Sequence, residues 1–194
     1  MNIGLYFGSF NPIHKGHTAL AQYLLKHCGL DEVWLMVSPN NPLKEKNTLW
    51  NEQLRLRLVQ IAIHDISGLR ASDFEFHLPR PSYTIDTLKA LSKRYPENEF
   101  YLIMGSDNMT IFHQWKDYEK ILSDYKIIVY PREGDDIESL TKKYPQMQVV
   151  SGAPLFPVSS TMIRQRLKEG KDISEYVDEP VNLALSEVGE IADF

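Results

Sequence analysis

Two histidines three positions apart, His14 and His17, are the residues of this 194-residue chain best suited to chemistry on an anion. They close the run Gly8-Ser9-Phe10-Asn11-Pro12-Ile13-His14-Lys15-Gly16-His17. Imidazoles titrate near neutrality, so both can donate to a phosphate or carry charge beside it. Ahead of the run, Ile3 to Phe7 is apolar and aromatic-rich, which predicts a short buried strand. Behind it, Leu20, Ala21, Leu24, Leu25 and Cys28 recur at helical spacing, with Gly29 at the C-cap. A strand, a tight Gly/Ser/Asn/Pro loop and a helix opening at Gly16 or His17 bring loop amides and the positive end of a helix dipole to one point. That geometry holds phosphate. Gly8 and Gly16 taken singly are also ordinary turn residues. A histidine metal pair is the other alternative. No third Cys, His or carboxylate stands at ligand spacing, and the zinc-protease pattern with Glu between two His at i and i+4 is absent.

A second cluster lies near the far end. Ser159-Ser160-Thr161 precedes an apolar helical stretch and is an N-cap signal in its own right. By itself the run caps a helix and nothing more; coupled to Arg164, one turn along, and to the run ending at His17, it becomes a second helix start bearing hydroxyls and a guanidinium. Such a set suits the β- and γ-phosphates of a nucleoside triphosphate. Gly105-Ser106-Asp107-Asn108 follows a predicted strand, where Asp107 can accept from a ribose hydroxyl or simply form a turn.

His14-Lys15-Gly16-His17 resembles the first signature of the nucleotidylyltransferase superfamily, His-x-Gly-His. Val158-Ser159-Ser160-Thr161-Met162-Ile163-Arg164 resembles its second, Ile-Ser-Ser-Thr-x-x-Arg, in the expected order and spacing. Asn11 stands where the family usually has Asp, and Val158 replaces Ile. Ser82-Tyr83-Thr84-x-Asp86-Thr87-Leu88 and Trp115 narrow the resemblance to the nicotinate-nucleotide adenylyltransferases. Pro39 to Lys44 and Arg55 extend it over nearly the whole chain.

The resemblance implies AMP transfer from ATP to nicotinate mononucleotide, yielding nicotinate adenine dinucleotide and pyrophosphate. It implies that His14, His17, Lys44 and Arg164 are catalytic, with His17 donating to the α-phosphate. Gly8, Ser9, Phe10, Gly16, Gly105, Asp107, Arg132, Ser159, Ser160 and Thr161 would bind ATP. Ser9, Asn11, Tyr83, Thr84 and Trp115 would bind the mononucleotide, with Trp115 against the pyridine ring; Trp115 as a core residue is the alternative. Mg²⁺ would arrive with ATP, held by few or no protein ligands. A pantetheine-phosphate adenylyltransferase is the rival within the class, and a nucleotide sensor without turnover is the rival outside it.

Positioning these residues requires a regular frame. Predicted strands at Glu32–Val37, Ala71–Phe76, Glu99–Met104, Lys126–Tyr130 and Gln148–Val150 alternate with helices. The helices are expected at Trp50–Ile66, Thr84–Arg94, Tyr118–Leu122, Asp136–Tyr144, Ser160–Glu169 and Glu179–Glu187. Ile111 to Trp115 reads as an aromatic turn. This alternation predicts an α/β, Rossmann-like, doubly wound parallel sheet of five to six strands with helices on both faces, one domain over 1–194. Such a sheet gathers the loops after Phe7, Val37, Met104 and Tyr130 at one edge. Lys and Arg number 21 against 26 Asp and Glu, a net charge of -5, which argues against a nucleic-acid partner. Local cations for small anions are His14, His17, Lys44, Lys46, Arg132 and Arg164. The single cysteine, Cys28, excludes an internal disulfide and fits the core. No long apolar run or basic, apolar leader is present, so a cytoplasmic protein with no membrane partner is expected. Oligomeric state is not legible.

Overall fold

The computed structural model describes residues 1–39, 49–132, 134–154 and 156–189. Among them β1 (Asn2–Gly8), β2 (Glu32–Val37), β3 (Leu69–Ser72), β4 (Glu99–Gly105), β5 (Lys126–Tyr130) and β6 (Gln148–Val149) form one sheet. Its order is β3-β2-β1-β4-β5-β6, with every neighbouring pair parallel. The winding reverses between β1 and β4, and the crevice at the carboxyl ends of those strands is the switch point. The helices are α1 (Lys15–His27), α2 (Glu52–Ile63), α3 (Thr84–Arg94), α4 (Ser106–Ile111), α5 (Tyr118–Asp124), α6 (Ile137–Lys143), α7 (Ser160–Lys168) and α8 (Glu179–Gly189).

Side chains alternate across each strand, so one sheet feeds two cores. Tyr6, Leu35, Ile103 and Ile128 face the first, together with Leu24 of α1, Leu58 of α2, Ile163 of α7 and Leu185 of α8. Leu5, Trp34, Leu102 and Val129 face the second, with Leu88 of α3, Met109 of α4 and Ile121 of α5. Cys28 packs half-buried against the first core, and burial pushes its thiol pKa up.

Three element expectations shift. The helix expected at Trp50–Ile66 is α2, trimmed at both ends. Asn51 caps it by accepting the Gln53 N–H at 2.8 Å, while the Trp50 N–H instead donates to Asn11 Oδ1 at 3.0 Å. The strand expected at Ala71–Phe76 stops at Ser72, and Phe74–His77 is a 3-10 turn. In a strand Phe74 and Phe76 would share a face. Here they pack against different cores, with the Glu75 side chain buried between the elements they join. Ser106 to Asn108, expected as a loop, forms the first turn of α4, with Gly105 as its N-cap.

Candidate active site

β1 ends at Gly8, and the chain turns through Ser9 to His14 before α1 begins. Phe10 is buried at positive φ (44°), and its ring lies over Gly8, where an added Cβ would come within 2.8 Å. The same ring packs edge-on against Tyr6 and His17, at 5.6 and 5.1 Å between centroids. Phe10 therefore braces the loop and orients His17.

His14 is the N-cap of α1 and His17 its third residue, so the two rings stack at 3.6 Å with an interplanar angle of 22°. Gly16 permits this, because a Cβ there would meet the His14 ring at 3.1 Å and Phe156 at 3.2 Å. The His14 backbone N–H donates to His17 Nδ1 at 3.2 Å. That acceptor role leaves the His17 proton on Nε2, which is the donor available to a ligand. His14 Nδ1 is buried with no hydrogen-bond partner among the described residues.

The second signature docks directly on the first. Ser160 Oγ donates to the Pro12 carbonyl at 2.9 Å, and Arg164 Nη1 donates to the Asn11 carbonyl at 2.7 Å. Ser159 caps α7 by accepting the Met162 N–H at 3.2 Å, and Thr161 Oγ1 accepts from Arg164 Nη2 at 3.3 Å. On the β4 side, Asp107 Oδ1 lies 3.6 Å from Arg132 Nε. A Cβ on Gly105 would stand 2.3 Å from that carboxylate oxygen and 3.0 Å from Arg132 Nε, so only glycine allows the pair. The Arg132 guanidinium also donates to the Tyr130 hydroxyl at 3.2 Å.

These residues line two adjoining cavities. One, of about 400 Å³, is walled by Gly8, Ser9, Phe10, His17, Glu75, Ser82, Tyr83, Thr84, Gly105, Asp107, Trp115 and Arg132. The other, of about 370 Å³, is walled by Ser9, Asn11, His14, Gly16, His17, Arg132, Ser159, Ser160, Thr161 and Arg164. Tyr6, Ser9, His17, Tyr130, Arg132 and Ser160 line both. Asn11, expected at the mononucleotide, lines the second cavity, with its side-chain oxygen on the Trp50 N–H. Trp115 and Tyr83 line the first cavity. The Trp115 Nε1–H is buried and unpartnered among the described residues, and Lys116 sits 4.8 Å over the Tyr83 ring. Lys44, like Lys46, lies outside the described residues.

The electrostatics correct one expectation. Burial, reinforced by the Arg132 charge, lowers the His14 pKa to about 4, so at neutral pH this imidazole is an uncharged hydrogen-bonding group. Positive charge comes instead from Arg132 and Arg164. Burial first, and then Tyr130, pushes the Tyr6 hydroxyl far up, which keeps it protonated. Sequence reasoning missed Glu75, Ser38 and Tyr6. Ser38 could have been found as the residue after β2. Glu75 carried no signal, because a charged residue between two phenylalanines fits the solvent face of a strand. Among the described residues no group of three His, Cys, Asp or Glu could hold a metal ion. The cavity of the two signatures is lined by guanidiniums, imidazoles and hydroxyls, while the Glu75 and Asp107 carboxylates of the other are engaged by Ser38, Thr87 and Arg132, so the described residues by themselves do not build a Mg²⁺ site.

Residues 5–166 match the family model described as cytidylyltransferase-like. A Bacteroides fragilis protein named probable nicotinate-nucleotide adenylyltransferase is 53% identical over 174 residues, covering 90% of this chain and 86% of that one. One of the same name from Flavobacterium johnsoniae is 46% identical over 187 residues, covering 92% and 96%. The solved structure of Plasmodium falciparum nicotinic acid mononucleotide adenylyltransferase complexed with NaAD superposes with a TM-score of 0.82. It covers 96% of this chain and 95% of that one at 24% identity, and so speaks to the fold.

Proposed function

The chain belongs to the cytidylyltransferase-like family, and from that premise we propose that it transfers the adenylyl group of ATP to nicotinate mononucleotide. The products are nicotinate adenine dinucleotide and pyrophosphate. The observation that carries this reading is the pair of cavities meeting at Ser9, His17 and Arg132. ATP lies with its phosphates in the cavity of the two signatures and its ribose reaching Asp107 in the first cavity, which also takes the mononucleotide. The reacting phosphorus sits at their junction.

A phosphate monoester has its second pKa near ~6, so the attacking oxygen is largely deprotonated at neutral pH and needs no general base. That oxygen forms a bond to the α-phosphorus as the bond to the bridging oxygen of pyrophosphate breaks. Catalysis is then positioning and charge stabilisation. His17 Nε2–H donates to the α-phosphate, and the neutral His14 orders His17 and offers a hydrogen bond of its own. Arg164, Lys44 and the hydroxyls of Ser159 and Thr161 hold the outer phosphates, while Ser160 locks the two signatures together. Ser9 and its neighbours hold the attacking phosphate. Asp107 accepts from the ribose, with Arg132 beside it. Mg²⁺ would come bound to the triphosphate and supply charge shielding there, held by few or no protein ligands.

At the far end of the first cavity, Tyr83 caps α3 with no side-chain hydrogen bond, which leaves first-turn N–H groups for a carboxylate. Trp115 stacks on the pyridine. We read residues 1–194 as one catalytic domain working in the cytoplasm, where its ATP is drawn. The deciding measurement is pyrophosphate release from ATP with nicotinate or nicotinamide mononucleotide. A higher kcat/KM for the acid is expected, and no release with the acid refutes the reading.

A further inference from the structure

Along one wall of the first cavity, through Ser38 and Glu75, runs a chain of polar groups that the reaction as described does not use. Arg55 of α2 is 1% exposed, and among the described residues its guanidinium donates to backbone carbonyls: Trp50 at 3.0 Å, Ser38 at 2.9 Å and Ser9. Ser38, just past β2, is gripped from the other side. Its hydroxyl donates to Glu75 Oε2 at 2.7 Å, and its N–H donates to the Gly8 carbonyl at 2.9 Å. Glu75 is 3% exposed, and its second oxygen accepts the Thr87 hydroxyl at 2.7 Å. Thr87 is fully buried on α3, and its N–H donates to the Tyr83 carbonyl at 3.1 Å.

We propose that Arg55, Ser38, Glu75 and Thr87 form a positioning chain that sets the first turn of α3 against the phosphate loop, so that Glu75 and Thr87 govern how tightly the mononucleotide is held. The proposal rests on the adenylyltransferase reading. Its physical basis is the cost of placing a guanidinium and a carboxyl in the interior. An unpaired buried charge is expensive, and these two survive only because each is met by fixed polar partners. Ser38 supplies a partner to both, through its carbonyl to Arg55 and its hydroxyl to Glu75. The Ser9 carbonyl hangs from one end of the chain and the Tyr83–Thr87 turn from the other. One end therefore carries the loop beside the reacting phosphate. The other carries the residues around the pyridine. Burial raises the Glu75 pKa, with the two hydroxyl hydrogen bonds opposing it, as expected for a carboxyl kept inside for geometry.

Thr87→Val tests this, since it removes the hydroxyl and keeps the shape. Loss of a hydrogen bond to a charged acceptor should raise KM for nicotinate mononucleotide about tenfold, with KM for ATP within about twofold of wild type. Thr87→Ser, which restores the hydroxyl, should recover most of that loss. Hydrogen exchange of the amides from Tyr83 to Thr87 should accelerate in the valine variant and return in the serine variant. Equal shifts in both KM values, or unchanged exchange in that turn, would overturn the proposal. Where Thr87→Val does not fold, Glu75→Gln reports instead: it removes the charge and should move KM for the mononucleotide in the same direction, and no change overturns the proposal. The exchange readout needs no substrate. Wild-type protein that makes no dinucleotide while the valine variant exchanges faster would refute the function and leave the positioning chain standing.

Discussion

Lowering the pH from 7 to 5 should cost the folded protein stability through His14 alone. The imidazole is 8% exposed, and its pKa falls from 6.5 to about 4 through burial and the nearby Arg132. Between those two values the unfolded chain binds a proton that the folded chain refuses. Unfolding free energy therefore rises with pH across the window and is lost as pH falls below about 6.5. Working the linkage with these pKa values gives roughly 2 kcal/mol lost between pH 7 and pH 5, and about 3 kcal/mol in full below pH 4. For a chain of this size 2 kcal/mol corresponds to about 4–8 °C in Tm. Carboxylates titrate in the same range, so the measurement is a difference. Urea unfolding of the wild type and of His14→Gln is followed at both pH values. The stability of the wild type relative to the variant should fall by about 2 kcal/mol on acidification. Parallel pH profiles would refute the reasoning, as would an NMR titration that finds the His14 ring protonating near 6.5. His14 would then be a cation at the phosphates after all.

Other outcomes follow from the same geometry. Arg55→Met strands three part-buried carbonyls and should lower the unfolding free energy by about 3 kcal/mol, read as a lower urea midpoint at unchanged m-value; a smaller loss would mean that water takes the place of the guanidinium. Gly105→Ala should raise KM for ATP, because its Cβ displaces the Asp107 carboxylate from Arg132, while Tm moves little; unchanged ATP kinetics would detach Asp107 from the ribose. His17→Ala should cut kcat on the order of 10²–10³-fold, as loss of an electrostatic donor does, and turnover near wild type would remove it from the chemistry. Trp115→Ala should raise KM for the mononucleotide about fivefold, the scale of a lost stacking contact, and an effect confined to ATP would place the ring elsewhere.

The sequence alone determined the strand–loop–helix frame, a parallel sheet of five to six strands and the pairing of two signatures far apart in the chain. Those features rest on local physics: apolar periodicity, capping residues and glycine placement act within a few residues of where they are read. Ser159 as the cap of α7 and the loop ends gathered beside β1 and β4 follow from it. The end of β3 did not, because Phe74 and Phe76 alternate as a strand would and only packing against two different cores separates them. Nor did the charge state of His14, which depends on burial and on Arg132, 118 positions away by the numbering. Glu75 belongs to the same class. A carboxyl's hydration is lost or kept according to what the rest of the chain brings against it, and only the tertiary structure decides that it meets Ser38 and Thr87 instead of water.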